Sequence, residues 1–502
     1  MLQKVATTGV DLDSVYAQTL QRIRDQKGSR SRLGMEVLMW VSHAERPLRI
    51  DELCHALAVE IESTDLDPEN ISPPDTVLGS CLGLVAVDKE TSIVRLIHYT
   101  VQEYLSHPGN LPDAHKILAQ TCLAYLNHEQ VKRLPANNIP DLSDMPFLKY
   151  CSFYWGSHAK FELSDRAKSL ALDLLNLYDN HVSATLLFER ATHFSFNRSL
   201  FTGLHCASYF GIVELVASLI EIEGCDINQR DCMGFTALMW AAQQGNEGVV
   251  RLLVAREDAD PDKQNDYGES PLWQASKNGH EGVVGLLLAR GNVNPEKQND
   301  RGETPLWRAS ENGHEGVVGL LLARDDVNTD KPDNKDRTPL LRASHNGHEG
   351  VVRLLLSRGD INPDKPDNTG ETPLMWASFN GHEGIVKLLL ARGDVNPDKP
   401  DHEGVTPLWC ASAAGYEGIA RLLLARGDVN PDKPDTDGET PLLWASKKGH
   451  EGVVRLLLAR GDVNPDKPNN SGQKPLKIAS EHNHRQIVAL LQPRTTPLPG
   501  TN

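Results

Sequence analysis

Thr304-Pro305-Leu306-Trp307-Arg308-Ala309-Ser310-Glu311-Asn312-Gly313-His314, with the apolar run behind it, decides the fold. Relatives of this stretch recur from residue 202 almost to the C-terminus. The Thr-Pro-Leu slot falls at Thr202, Thr236, Ser270, Thr304, Thr338, Thr372, Thr406, Thr440 and Lys474, and each step is 34 residues. Self-similarity at a fixed period of this size marks a stack of supersecondary units, none of which can bury its apolar face alone.

Within one unit the residues specify the elements. Asp367-Asn368-Thr369-Gly370-Glu371 makes a turn, with Gly where φ is positive. Thr372 caps a first helix, and Pro373 occupies its first position, where a missing N–H costs nothing. Leu374 and Ala377 face the stack. Gly381 ends the helix, and a second helix follows with Ile385, Val386, Leu388, Leu389 and Leu390 expected to bury. The linker Arg392-Gly393-Asp394-Val395-Asn396-Pro397-Asp398-Lys399-Pro400 extends as a finger stiffened by two prolines. Its Asp-Lys-Pro-Asp runs read as a solvated face, since they lack calcium-loop spacing.

The unit Asp-x-x-Gly-x-Thr-Pro-Leu, helix, Gly-His, helix resembles the ankyrin repeat, whose period is about 33. Nine units are counted. The histidine that follows Thr-Pro-Leu in that family stands only at His205. Met239, Trp273, Trp307, Leu341, Met375, Trp409, Leu443 and Lys477 replace it, and packing is expected to replace its hydrogen bond. The last unit is polar, with Lys474, Lys477, His482, His484 and Arg485, as suits a solvent-facing cap.

The middle units are near copies, so the positions that differ stand out. One set is Gln274, Arg308, Arg342, Trp376, Cys410 and Trp444. A second, three residues on, is Lys277, Glu311, His345, Phe379, Ala413 and Lys447. The finger tips also vary, at Tyr267, Arg301, Lys335, Thr369, Glu403 and Asp437. The resemblance implies that first helices and fingers line a concave groove. Variation there suits a protein-binding surface diversified on a constant scaffold, with drift at exposed positions as the alternative. Trp, Arg and Phe fit the binding reading best. The tryptophans next to Pro-Leu suit the groove or inter-unit packing equally.

The formal charge of −17 argues against broad nucleic-acid binding. The eight cysteines form no Cys-x-x-Cys pair and read as reduced structural thiols. The first residues read without a signal-peptide h-region, and no apolar run approaches the roughly 20 residues of a membrane span. A cytoplasmic protein is expected, with the nucleus open.

Residues 11–26 suit an amphipathic helix carrying Leu12, Val15, Leu20 and Ile23. A helix with Val37, Leu38 and Trp40 follows. In Arg46-Pro47-Leu48-Arg49-Ile50-Asp51-Glu52-Leu53 a short extended stretch leads into a helix through His55 to Val59, and another spans about 74–82. Leu84-Val85-Ala86-Val87 and Ile93-Val94-Arg95-Leu96 flank a polar turn, a hairpin signal. A final helix carries His98 to Leu105. Three helices, a hairpin and a helix suit a winged helix. The phrases Arg46-Pro47-Leu48, Asp51-Glu52-Leu53 and Ile97-His98-Tyr99-Thr100-Val101-Gln102-Glu103-Tyr104-Leu105 resemble the winged-helix segment of fungal NACHT-type STAND proteins, also named after GPI inositol-deacylase. The resemblance implies that His98 matches a histidine near bound nucleotide, but no Gly-x-x-x-x-Gly-Lys-Ser/Thr loop accompanies it. His98 is therefore read as structural. Arg30, Arg32, Arg46 and Arg49 could form a basic face, yet Glu36, Glu45, Asp51 and Glu52 interrupt it.

Beyond residue 110, helices are expected over 114–126, 147–160, 166–178 and 183–192, with a loop over 132–146. The aromatic helix Phe147-Leu148-Lys149-Tyr150-Cys151-Ser152-Phe153-Tyr154-Trp155-Gly156-Ser157-His158-Ala159-Lys160 resembles the Tyr-Trp-x-x-His-Ala helix of the same fungal family and reads as core. This stalk should cover the first repeat.

No nucleophile elbow, His-Glu-x-x-His helix, Cys or His metal spacing, dinucleotide turn or EF-hand loop occurs. Gly-His-Glu-Gly recurs at His280, His314, His348, His382 and His450 and reads as a turn, not a metal ladder. The expected architecture is mainly α: a winged-helix module over 1–110, a helical stalk over 111–196, nine ankyrin repeats over 197–492 and a disordered tail over 493–502. The expected function is a non-enzymatic protein-interaction scaffold or ligand-sensing receptor, without cofactor or metal. It resembles the C-terminal part of fungal NOD-like receptors. A fragment of a nucleotide-regulated STAND NTPase and a winged-helix transcription regulator are the alternatives.

Overall fold

The computed structural model describes residues 12–107, 109–136, 141–194 and 200–494. Two compact bodies result, one up to Asp266 and one from Tyr267 onward.

The first body opens with α1 (Leu12–Arg24), α2 (Ser29–His43), α3 (Ile50–Leu57) and α4 (Pro74–Ser80). Then come β1 (Val85–Val87), β2 (Val94–Leu96) and α5 (Tyr99–Leu105). The strands pair antiparallel with Val85 opposite Leu96, and Arg49 bridges to Ile93, so the extended stretch before α3 adds an edge to the wing. Val37, Leu38, Trp40, Leu53, Val77, Val94 and Val101 are fully buried beneath it. This is the expected winged helix. His98 caps α5: its Nδ1 accepts from the Thr100 N–H at 3.3 Å. Three of the four arginines are tied to acids, Arg32 to Glu36, Arg46 to Glu52 and Arg49 to Asp51.

The stalk comprises α6 (Ala114–Leu126), α7 (Glu129–Lys132), α8 (Leu148–Ala159), α9 (Asp165–Leu175) and α10 (Val182–Thr192). The aromatic helix α8 is core, with Tyr150, Cys151 and Trp155 wholly buried. Trp40 meets Phe147 edge-on at 5.3 Å, which joins the wing module to the stalk. Trp155 meets Phe210 of the first repeat at 5.3 Å, and Phe201 sits 5.4 Å from Trp240. These rings cover the apolar end of the array.

Nine helix pairs follow among the described residues, from Gly203–Phe210 with Val213–Ile220 to Pro475–Glu481 with Arg485–Leu491. The first two pairs belong to the first body and seven to the second. In the unit read above, Thr372 Oγ1 accepts from the Met375 N–H at 3.3 Å and Pro373 opens Pro373–Phe379. Ile385, Val386 and Leu389 are buried, but Leu388 and Leu390 are only half-buried, because a helix covered on one side buries a single stripe. At the end of the chain, Gln492–Arg494 forms a 3-10 turn rather than tail, and residues 495–502 lie outside the described residues.

Three networks tie successive units. His314 Nε2 reaches the carbonyl of Lys277 at 2.9 Å, and His348 reaches that of Glu311 at 2.9 Å. Both ladder nitrogens therefore tie one unit to the next. In the finger, Arg358 Nη1 donates to the Leu322 carbonyl at 2.8 Å, and Lys365 Nζ donates to the Asp330 carbonyl at 2.7 Å. The Asn362 N–H donates to Asp330 Oδ2 at 2.7 Å. The Asp-Lys-Pro runs are thus inter-unit fasteners and not the expected solvated face. Burial raises the carboxyl pKa of Asp330 and Asp364 accordingly. At the tips, backbone bonds such as Asn334 N–H to the Arg301 carbonyl, 2.9 Å, run from finger to finger while the tip side chains stay exposed.

Candidate functional site

Each first helix presents its variable positions on one face, and the second body carries all twelve of them. The hydrogen bonds from His314 and His348 end on the carbonyls of Lys277 and Glu311, so a constant residue fixes the backbone of a variable one. Asn312 Nδ2 adds a 2.7 Å bond to the Lys277 carbonyl. The anchoring residue is Tyr416 rather than histidine in the unit after Phe379, and the Phe379 helix ends one residue earlier, at Phe379 itself.

Those side chains fall into three groups. Gln274 and Cys410 are buried, at 1% and 5% exposure, which corrects their reading as contact residues. Gln274 Nε2 donates to Glu269 Oε2 at 2.7 Å, and burial pushes the Cys410 thiol up. Arg308 and Arg342 are consumed internally. Glu311 bridges both guanidiniums, and Glu303 takes the far side of Arg308 at 2.8 Å. Arg308 also lies over Trp273 at 4.8 Å and Arg342 over Trp307 at 5.3 Å. A carboxylate between two stacked arginines is satisfied within the chain.

The third group remains available. Phe379 is 52% exposed, and Lys277, His345, Trp376, Ala413, Trp444 and Lys447 are half-buried. His345 meets Trp376 edge-on at 4.4 Å, and Trp376 meets Phe379 at 6.2 Å. Trp409 tilts against Trp444 at 4.9 Å, with Lys447 Nζ 4.3 Å above the Trp444 ring. Glu371 accepts from Thr369 Oγ1 at 2.9 Å, and burial pushes its carboxyl up.

The tryptophans beside Pro-Leu divide. Trp273 and Trp307 are buried packing residues. At His205, Nε2 lies 3.1 Å from the carbonyls of Gln229 and Phe235. Trp307 Nε1 donates to the Arg337 carbonyl at 2.8 Å, the same 30-residue offset as His205 to Phe235. In that unit the indole keeps the hydrogen bond that packing alone was expected to replace. Sequence reasoning missed the glutamate partners: Glu269 of Gln274, Glu303 of Arg308, and Glu439, which lies 3.5 Å from Lys447 Nζ. Their signal was the recurrent Gly-Glu before the Thr or Ser cap.

A stack of capped helix pairs with variable side chains on one face defines a protein-interaction solenoid. Residues 204–299, 291–367, 360–435 and 428–496 match the family described as ankyrin repeats (3 copies), and the chain belongs to the ankyrin-repeat family. Residues 21–115 match the winged helix domain of GPI inositol-deacylase. A comparison with curated proteins returned no match. No described helix is long and apolar enough to cross a membrane.

Proposed function

We propose that the chain is a non-enzymatic recognition protein that holds a protein segment on the first-helix face between His345 and Lys447. Two aromatic clusters carry the reading. His345, Trp376 and Phe379 form one, and Trp409, Trp444 and Lys447 form the other. The unit between them lends Trp409 to the second cluster and places only the small Cys410 and Ala413 at its variable positions. Trp376 and Trp444 each leave a buried indole N–H without a hydrogen-bond partner, a donor that a bound carbonyl satisfies once the ring turns. Aromatic anchors around a small-residue notch are the usual carriers of interface energy.

A winged helix ahead of ankyrin repeats is the arrangement this reading shares with the C-terminal part of fungal NOD-like receptors. It supports ligand sensing or scaffolding in non-self recognition and signal transduction. The free and mostly buried cysteines support a reducing, cytoplasmic setting.

The test is affinity capture with the full chain against a Trp376→Ala/Phe379→Ala/Trp444→Ala variant, with thermal melts as folding control. Loss of specific partners by a folded variant is expected. An unchanged partner set sinks the proposal.

A further inference from the structure

Where the wing module meets the stalk, three side chains converge that no sequence spacing connects. Glu45 follows α2, His115 lies in the first turn of α6, and His158 lies in the last turn of α8. His115 Nδ1 and His158 Nδ1 face each other at 2.9 Å. One ligand atom from each of the three residues lies within 4.8 Å of the other two.

Each ring is oriented by its surroundings. His158 is wholly buried, and its Nε2 lies 2.9 Å from Tyr150 Oη, which also accepts the Glu45 N–H at 3.1 Å. A hydroxyl that receives Nε2–H leaves Nδ1 of His158 as a lone pair. This is the second-shell arrangement that fixes a ligating imidazole. His115 is stacked on Phe161 at 4.1 Å, which holds its plane. Of the neighbouring groups, Lys116 Nζ pairs with Glu162 at 3.0 Å and His43 Nδ1 meets Ser42 Oγ at 2.7 Å, while the Lys160 ammonium interacts with the Glu45 carboxylate. A cleft of about 610 Å³, lined by His43, Asp113, His115 and Phe161 among others, gives solvent a path to the cluster.

We propose that Glu45, His115 and His158 form a binding site for a borderline divalent transition ion, Zn²⁺ being the probe of choice, which clamps the wing module to the stalk. Two imidazoles and one carboxylate suit Zn²⁺ and its neighbours rather than Ca²⁺ or Mg²⁺. Tetrahedral Zn–N bonds of about 2.0–2.1 Å set two nitrogens roughly 3.3 Å apart, so a small outward movement of the rings admits the ion. Three protein ligands leave a fourth position facing the cleft.

The experiment uses the full chain, stripped with a chelator and titrated with Zn²⁺ against a chromogenic competitor. Co²⁺ spectra report the ligand type. The expected result is one ion per chain, a Co²⁺ spectrum without a thiolate charge-transfer band, and a thermal midpoint that rises with Zn²⁺. His115→Ala and Glu45→Ala each lower affinity at least tenfold, and Tyr150→Phe lowers it by about 10–100-fold. Melts in chelator show that each variant is folded. The proposal is overturned by a thiolate band, by affinity unchanged in the folded His115→Ala/Glu45→Ala variant, or by no binding to the wild type.

Discussion

His348 Nε2 lies 2.9 Å from the carbonyl oxygen of Glu311, 37 residues earlier. The constant histidine of one unit therefore anchors the backbone of the variable residue in the unit before. The same bond recurs from His382 to His345 and from His450 to Ala413. A face can change its side chains freely when its backbone is held by something else.

Removing that anchor tests its contribution. His348→Ala leaves the Glu311 carbonyl without the imidazole donor, although Asn346 still reaches it at 2.8 Å. The expected loss is about 1 kcal/mol, read as a lower urea midpoint at unchanged m-value.

Two glycines six residues apart should respond with opposite signs. Gly279 has φ of 76°, and an added Cβ would lie 2.6 Å from His314 Nδ1. Gly279→Ala is expected to cost more than ~1 kcal/mol. Gly285 lies within Glu281–Ala289 with open space beside it, and Gly285→Ala should gain about 0.5–1 kcal/mol. Thermal midpoints moving in the same direction for both would contradict this account.

Glu311 carries the only carboxylate that joins Arg308 to Arg342 among the described ion pairs. The three side chains are 14–16% exposed, so the pairing is partly screened. Glu311→Gln should cost about 1–3 kcal/mol, less than a fully buried pair. A double-mutant cycle with Arg342→Met isolates the pairwise share, and a coupling energy near zero would refute it.

His181 sets a pH dependence. Its Nε2–H donates to the Leu126 carbonyl at 3.1 Å while Nδ1 accepts the Ser183 N–H at 3.2 Å, so the neutral ring is satisfied on both sides. Burial, the largest influence, lowers its pKa from 6.5 to about 4. The unfolded chain binds the proton first, so this stability is full above 6.5 and falls as pH drops toward 4. The loss is on the order of 3 kcal/mol. Denaturation of wild type and His181→Gln between these pH values should show a flatter profile in the variant.

The 34-residue period, the Thr-Pro-Leu cap and the paired apolar helices were legible from residues alone, because capping and amphipathicity are local properties. The winged helix was legible for the same reason. The candidate face was half legible. Repeat comparison found the right rows, but burial inside them depends on the neighbouring unit. Gln274 and Cys410 turn inward, Arg308 and Arg342 close on Glu311, and Trp376 and Phe379 stay available, and no single unit contains the atoms that decide this.

By itself the sequence determined a mainly helical stack with a covered first unit and a variable face. Only the tertiary structure decided that Lys365 fastens one finger to another and that Trp307 keeps the lost histidine's hydrogen bond. It alone brought Glu45, His115 and His158 together. The physical reason is range: caps, turns and helix stripes are written within a few residues. Hydrogen bonds between residues 35–37 positions apart, and donors drawn from three separate elements, exist only once packing has brought those elements together.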